Sequence, residues 1–235
     1  MENQQNLNLQ IVSELTDTER VVFYKKTYAH LAGAVLLFVL VETLFFQIEF
    51  IVNLAISLTG GFSWLLLLGG FMLMTHYAER LALKSDNTNM HYAGLVLYVI
   101  AEAFIFIPLI FIAIMMAGEG AFNILNQAAI LTLSLFTGLS AIVYLTKKDF
   151  SFLKSTLAVG FFIALGLIVA GTLFGFNLGL WFSVGMVVLA SGSILYQTSN
   201  MIHKYQKHQH VAASLGLFLS LLLLFWYILS ILSND

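Results

Sequence analysis

The stretch SLGLFLSLLLLFWYILSILS, Ser214 to Ser233, runs twenty residues without a charge on any side. A helix needs about 20 apolar residues to cross the ~30 Å hydrocarbon layer of a membrane. The length of the run fits one crossing. Its lack of a charged face suits a helix that other helices enclose, or one that faces lipid. Ala212, Gly216 and Ser220 put a small residue at every fourth position here, a spacing that lets helix backbones approach closely in lipid.

The rest of the chain reads the same way. Its 235 residues are 60% hydrophobic and only 9% charged, with mean hydropathy +0.93. A soluble domain carries about 25% charged residues, so charge here is too scarce to coat a globule. The class is integral membrane protein. The net charge of −2 argues against nucleic acid as a partner. There is no cysteine, hence no disulfide, thiolate metal site or cysteine nucleophile. Pro108 is the single proline, which fits uninterrupted helices.

Apolar runs of spanning length recur at 28–47, 62–79, 93–116, 125–145, 154–174, 178–199 and 211–232, separated by short polar breaks. They are helices, because an unpaired backbone in lipid tolerates only helices or closed barrels. All ten Lys and Arg fall on one side of these spans. Arg20, Lys25 and Lys26 precede the first, and Arg80 and Lys84 follow the second. Lys147, Lys148 and Lys154 surround the fourth-to-fifth junction, and Lys204 and Lys207 lie before the seventh. The positive-inside rule then expects the N-terminus in the cytoplasm and the C-terminus outside. Residues 1–24 read as a polar cytoplasmic tail and 25–235 as one seven-helix transmembrane domain. The tail, MENQQNLNLQIVSELTDTER and onward, lacks the features of a signal peptide. It either stays unfolded or begins a short helix at Thr16.

Glu102 lies about ten residues into the third span, near the midplane, with no Lys or Arg at its depth. An ionisable group there costs about 2.5–3.5 kcal/mol on insertion scales. It is expected as the neutral acid, a hydrogen-bond donor, with Ser134, Thr137 and Ser193 as possible acceptors. It serves either a functional step or only the gluing of helices. Pro108, six residues on, frees a carbonyl and can kink the span. Glu42 sits nearer the outer end of the first span and is expected to snorkel or to face a cavity mouth.

The remaining polar features have structural readings. The histidines at 30, 76, 91, 203, 208 and 210 follow no known ligand pattern, and a solvated loop accounts for the last three. In TKKDFSFLK, Thr146 to Lys154, Asp149 or Ser151 is expected to cap the next helix. Thr198, Ser199 and Asn200 are expected to satisfy the last carbonyls of the sixth span. Gly171, Gly175 and Gly179 form a second stripe of small residues, read as a packing seam. HExxH, a nucleophile elbow, a Walker loop and GxGxxG are all missing, so no enzyme chemistry, cofactor or metal is expected.

Taken together, the spans, TKKDFSFL, FTGLS (Phe136 to Ser140), SGSILYQTSNMIH (Ser191 to His203) and AASLGLFLSL (Ala212 to Leu221) resemble the Bax inhibitor-1, or TMBIM, family. The resemblance covers nearly the whole chain and is most specific from Ala141 to Leu232, where it follows the bacterial YccA-type branch. It implies seven helices, with the last one central between two three-helix layers. It also implies two activities. Members of that branch bind the membrane-anchored ATP-dependent protease FtsH, with its prohibitin-like partners, and restrain it. Others are pH-sensitive calcium or proton leaks that depend on two aspartates. Where the leak pattern has its aspartates, this chain has Gln197 and Phe218, so the two-carboxylate switch is gone. Arg80, the basic residue that would face the first aspartate, would face an amide instead. The resemblance therefore favours a protease modulator of the bacterial inner membrane, with the polar tail as a segment for FtsH to grip. A leak through Glu102 is the alternative.

Overall fold

The computed structural model describes residues 10–84 and 88–233. Among them are eight α-helices: α1 (Asp17–Phe46), α2 (Glu49–Ser57), α3 (Phe62–Lys84), α4 (Thr88–Ala117), α5 (Ala121–Thr146), α6 (Leu153–Phe174), α7 (Gly179–His203) and α8 (His210–Leu232). The chain is an all-helical integral membrane protein. Six helices (α1, α4, α5, α6, α7 and α8) are long and apolar enough to cross a bilayer. A seventh crossing counts only if α2 and α3, bent by 110° at their break, are taken together.

The helix starts and stops follow from local chemistry. Thr16 and Glu19 form a reciprocal capping box that starts α1, with the Glu19 amide donating to Thr16 Oγ1 at 3.4 Å and the Thr16 amide to Glu19 Oε2 at 3.2 Å. The helix then runs through Arg20, Lys25 and Lys26 without a break, so no structural joint marks the expected edge of the tail at 24/25. The opposite stop is equally plain. α6 ends at Phe174 because Gly175 adopts φ +73°, and its amide closes on the Gly171 carbonyl at 2.9 Å. This corrects the packing seam expected from Gly171, Gly175 and Gly179. Gly175 and Gly179 both have positive φ, and a Cβ at either would meet nothing within 4 Å. They are turn glycines, not a face.

α1 buries one stripe, Phe23, Thr27, Leu31, Ala34, Phe38 and Glu42, at the three- and four-residue spacing of a single face. α8 is buried along nearly its whole length and packs against α1, α3, α4, α5 and α7. α4 is comparably enclosed, with Tyr98, Val99, Ala101, Ala103, Phe106 and Ile107 all at 2% exposure or less. Pro108 sits inside α4 and leaves it one continuous helix. α3 and α4 touch at their backbones. A Cβ on Gly94 would lie 2.6 Å from the Ala78 carbonyl oxygen.

The starts of α1 and α4, the α5–α6 loop and the α7–α8 loop meet at one, basic end of the bundle: His30 reaches Tyr92, the Phe150 amide reaches Ser199, and Lys207 reaches Glu19. The N-terminal segment is strapped across this basic end. Ile11 pairs with Gln206 in an antiparallel bridge, the Val12 amide donates to the Tyr205 carbonyl at 2.9 Å, and the Lys207 amide donates to the Gln10 carbonyl at 3.1 Å. Val12 and Leu15 are buried, and Lys207 Nζ pairs with Glu19 at 2.7 Å. Residues 1–9 of the tail, expected to offer a segment to grip, lie outside the described residues, as does Asp235.

Candidate functional site

Glu102 is carried by the middle of α4. It shares the buried face of that helix with Tyr98, Val99 and Phe106 and is 5% exposed. Two of the acceptors expected for it, Ser134 and Thr137, are exposed on α5. The third, Ser193, is engaged elsewhere, with its hydroxyl 2.8 Å from that of Ser220. Spacing along a helix sets depth but not facing, and α5 turns these two hydroxyls outward. The group that meets the Glu102 carboxyl is the Tyr98 hydroxyl, one turn earlier on the same helix.

Glu102 lines a half-open chamber of about 190 Å³. Its walls combine aliphatic side chains with five aromatic ones: Trp64 and Phe71 from α3, Phe106 from α4, and Trp226 and Tyr227 from α8. A second cavity of about 450 Å³ lies toward the charge-poor end of the bundle. It shares Trp64, Ile168, Trp226 and Tyr227 with the chamber, and it carries the polar residues Asn177, Ser183 and Ser230. A third cavity, of about 700 Å³, is lined by His76, Glu79 and Tyr98. The chamber can therefore accept a small apolar body and offer it one buried carboxyl.

The two diverged switch positions are both inside the bundle. Gln197 on α7 lies over Gly216 of α8, where a built Cβ would come within 2.9 Å of its Oε1. Phe218 is fully buried and meets Phe38 and Tyr98 edge-on, at 6.3 Å and 6.4 Å between ring centroids. Arg80 is exposed on α3, and no hydrogen bond or ion pair joins it to Gln197. Ala212, Gly216 and Ser220 all point inward. Gly216 and Ser220 face Gln197 and Ser193 of α7.

Glu42 does not snorkel. It is 7% exposed, and neither carboxyl oxygen has a hydrogen-bond partner. Its position places it on the stripe that α1 turns inward, one turn beyond Phe38.

At the basic end, the polar run after Gln197 ties elements together rather than capping a helix. α7 continues to His203, which leaves Thr198 and Ser199 fully buried inside it. Thr198 approaches Ser140 of α5 at 3.5 Å. Ser199 Oγ accepts from the Phe150 amide at 2.9 Å and donates to Asp149 at 3.2 Å. Asp149 also accepts from the Ser151 amide at 2.8 Å and from its hydroxyl. The Ser151 hydroxyl and amide, helped by Ser199, hold the Asp149 carboxyl below the usual carboxylate range. Neither Asp149 nor Ser151 caps α6, whose N-cap is Phe152 with no side-chain bond. Asn200 Oδ1 is buried without a partner.

The histidines are not simply a wet loop. His30 Nε2 lies 3.0 Å from the Tyr92 hydroxyl, its ring is 5.0 Å from that of His210, and His91 is buried. Among the described residues, no group of three or more His, Asp or Glu side chains is disposed to hold a metal. The strap of residues 10–15 and the inward Glu42 are the features that sequence reasoning missed. The strap had a signal in the three apolar residues Ile11, Val12 and Leu15 set in a polar tail. Glu42 had none.

Comparison with known proteins bears on these features. A family model described as "Inhibitor of apoptosis-promoting Bax1" matches residues 20–235. The chain is 37% identical over 110 residues to an uncharacterized protein of Pseudomonas aeruginosa, covering 46% of this chain and 49% of that one. It is 37% identical over 94 residues to the "Modulator of FtsH protease YccA" of Escherichia coli K12, covering 40% of this chain and 42% of that one. It is 30% identical over 115 residues to a "Golgi anti-apoptotic protein" of Vaccinia virus, covering 47% of each. The chain spans about half the length of the curated relatives it matches.

Proposed function

This chain belongs to the Bax inhibitor-1 family, and on that premise we propose that it is a modulator of an FtsH-type membrane protease. In this reading it crosses the inner membrane seven times, with α8 central, its basic end in the cytoplasm and its C-terminus outside. It binds the protease directly, in the company of the prohibitin-like proteins that accompany FtsH. The observation that carries the reading is Phe218. A ring fully buried against Phe38 and Tyr98 occupies the place where the leak-type pattern has a carboxylate. Phe cannot titrate, and Gln197 supplies only an amide. A bundle plugged there is a scaffold for binding rather than a switched pore.

The docked strap refines the idea of a handle. Residues 10–15 are held against the Tyr205–Lys207 loop, so a protease would have to engage residues before Gln10 or first peel the strap away. Deleting residues 1–9 tests this: the modulator reading expects weaker association with FtsH while the bundle keeps its stability.

A second reading, a proton or cation leak through Glu102, is favoured by one observation. The chamber reaches Glu102, and the cavity bounded by His76 and Glu79 reaches Tyr98 beside it. Its walls are otherwise apolar, which disfavours a hydrated path. Proteoliposomes carrying the wild type and Glu102→Gln separate the two readings, because only a leak loses flux in the variant.

A further inference from the structure

We propose that the chamber around Glu102 is a binding site for a small organic ammonium ion: a cationic nitrogen on an apolar, ring-sized body. Neither the modulator reading nor the leak reading requires it. Three observations point to this chemistry. The first is Glu102 itself, one acid at the wall of a half-open chamber and 5% exposed. Among the described residues no Lys, Arg or His lines the chamber, so none of them gives the carboxyl a cationic partner. The second is the wall. Trp64, Phe71, Phe106, Trp226 and Tyr227 surround the same space, and aromatic faces attract an ammonium ion most strongly when water is absent. The third is the room. A chamber of about 190 Å³ holds the head of such a ligand, and the adjoining cavity of about 450 Å³ gives its body a way toward the charge-poor end.

These features act together. An ammonium ion beside a carboxylate makes a pair with no net charge, which lowers the cost of placing either in an apolar interior. The aromatic walls then supply affinity for the cation that an aliphatic cavity lacks. A neutral ligand of the same shape gains only the apolar contacts. The site therefore discriminates by charge as well as by size.

Phenethylammonium is a suitable probe, with phenethyl alcohol as its uncharged counterpart. Binding to the full chain in lipid nanodiscs is followed by the fluorescence of Trp64 and Trp226 and by calorimetry. The site predicts saturable binding of the ammonium ion, about tenfold tighter or more than the alcohol. Glu102→Gln should remove that preference while the alcohol binds as before. Leu223→Trp keeps Glu102 but fills the chamber, and it should abolish binding of both. Thermal melting confirms that each variant is folded. Equal affinity for ammonium and alcohol, an unchanged preference in Glu102→Gln, or no saturable binding to the folded wild type would each overturn the proposal.

Discussion

The side-chain amide of Gln197 lies over Gly216, so close that a methyl group built on that glycine would sit 2.9 Å from the amide oxygen. Gly94 makes a tighter approach of another kind, with the added carbon 2.6 Å from the Ala78 carbonyl oxygen and 3.0 Å from the Ala82 nitrogen. The end of a glutamine side chain can swing away, whereas helix backbones cannot without separating. Gly94→Ala should therefore cost about 1–3 kcal/mol, as overpacking does, and Gly216→Ala much less. Thermal melting of both variants in one detergent checks the order. A larger loss for Gly216→Ala would show that Gln197 is locked in place.

Phe218 predicts a cavity. Removing its ring leaves a void of roughly 100 Å³ between Phe38 and Tyr98. In lipid the transfer part of the penalty falls away and the packing part remains. At about 24 cal/mol per Å³ of cavity, Phe218→Ala should lose about 2–3 kcal/mol. Phe218→Leu should recover most of it. Equal stabilities for the wild type and Phe218→Ala would mean that the ring does not hold α1, α4 and α8 together.

The loop between α5 and α6 should respond to acid through Asp149. Its carboxyl is depressed in the folded state, chiefly by Ser151. A depressed group contributes fully above its unfolded value, 3.8 here, and loses its contribution as pH falls through the lower folded value. Hydrogen-exchange protection of the Ser151 amide should hold from neutral pH down to about 3.8 and disappear below that. Asp149→Ala should remove it at every pH. Protection that is independent of both pH and Asp149 would assign the tether to the Phe150–Ser199 bond alone.

The strap should open without unfolding the bundle. The Glu19–Lys207 pair is about one-third exposed on each side, so solvent screens it and it contributes little to the stability of the bundle. Glu19→Gln should speed proteolytic cleavage around residues 10–15 and leave the melting temperature unchanged. Val12→Asp, which places a charge at a fully buried position, should have a larger effect of the same kind. Cleavage that is insensitive to both would mean that the backbone pairing at Val12 and Lys207 holds the strap by itself.

Much of this architecture is legible in the residues. The placement of ten Lys and Arg and the recurrence of apolar runs depend on insertion energies that act on local sequence, so α1 and α4 through α8 could be read directly. What could not be read depends on facing. Glu42 lies at a depth where snorkelling or facing a cavity mouth is expected, and its burial is settled only by α1's packing. Ser134 and Thr137 share Glu102's depth but point away from it. Gly171, Gly175 and Gly179 keep a regular four-residue spacing across the end of α6, where spacing no longer means a face. α2 was hidden because nine residues are too few for a spanning run. The Glu102 chamber is a property of four helices, so no single segment could show it.

The central claim is direct association with the protease. The decisive measurement is affinity isolation of the tagged full chain from cross-linked native membranes, with the bound proteins identified and the turnover of known FtsH substrates followed in a deletion strain. The modulator account predicts that FtsH and its prohibitin-like partners co-isolate and that substrate turnover quickens when the chain is absent. No FtsH in the isolate together with unchanged turnover would contradict it.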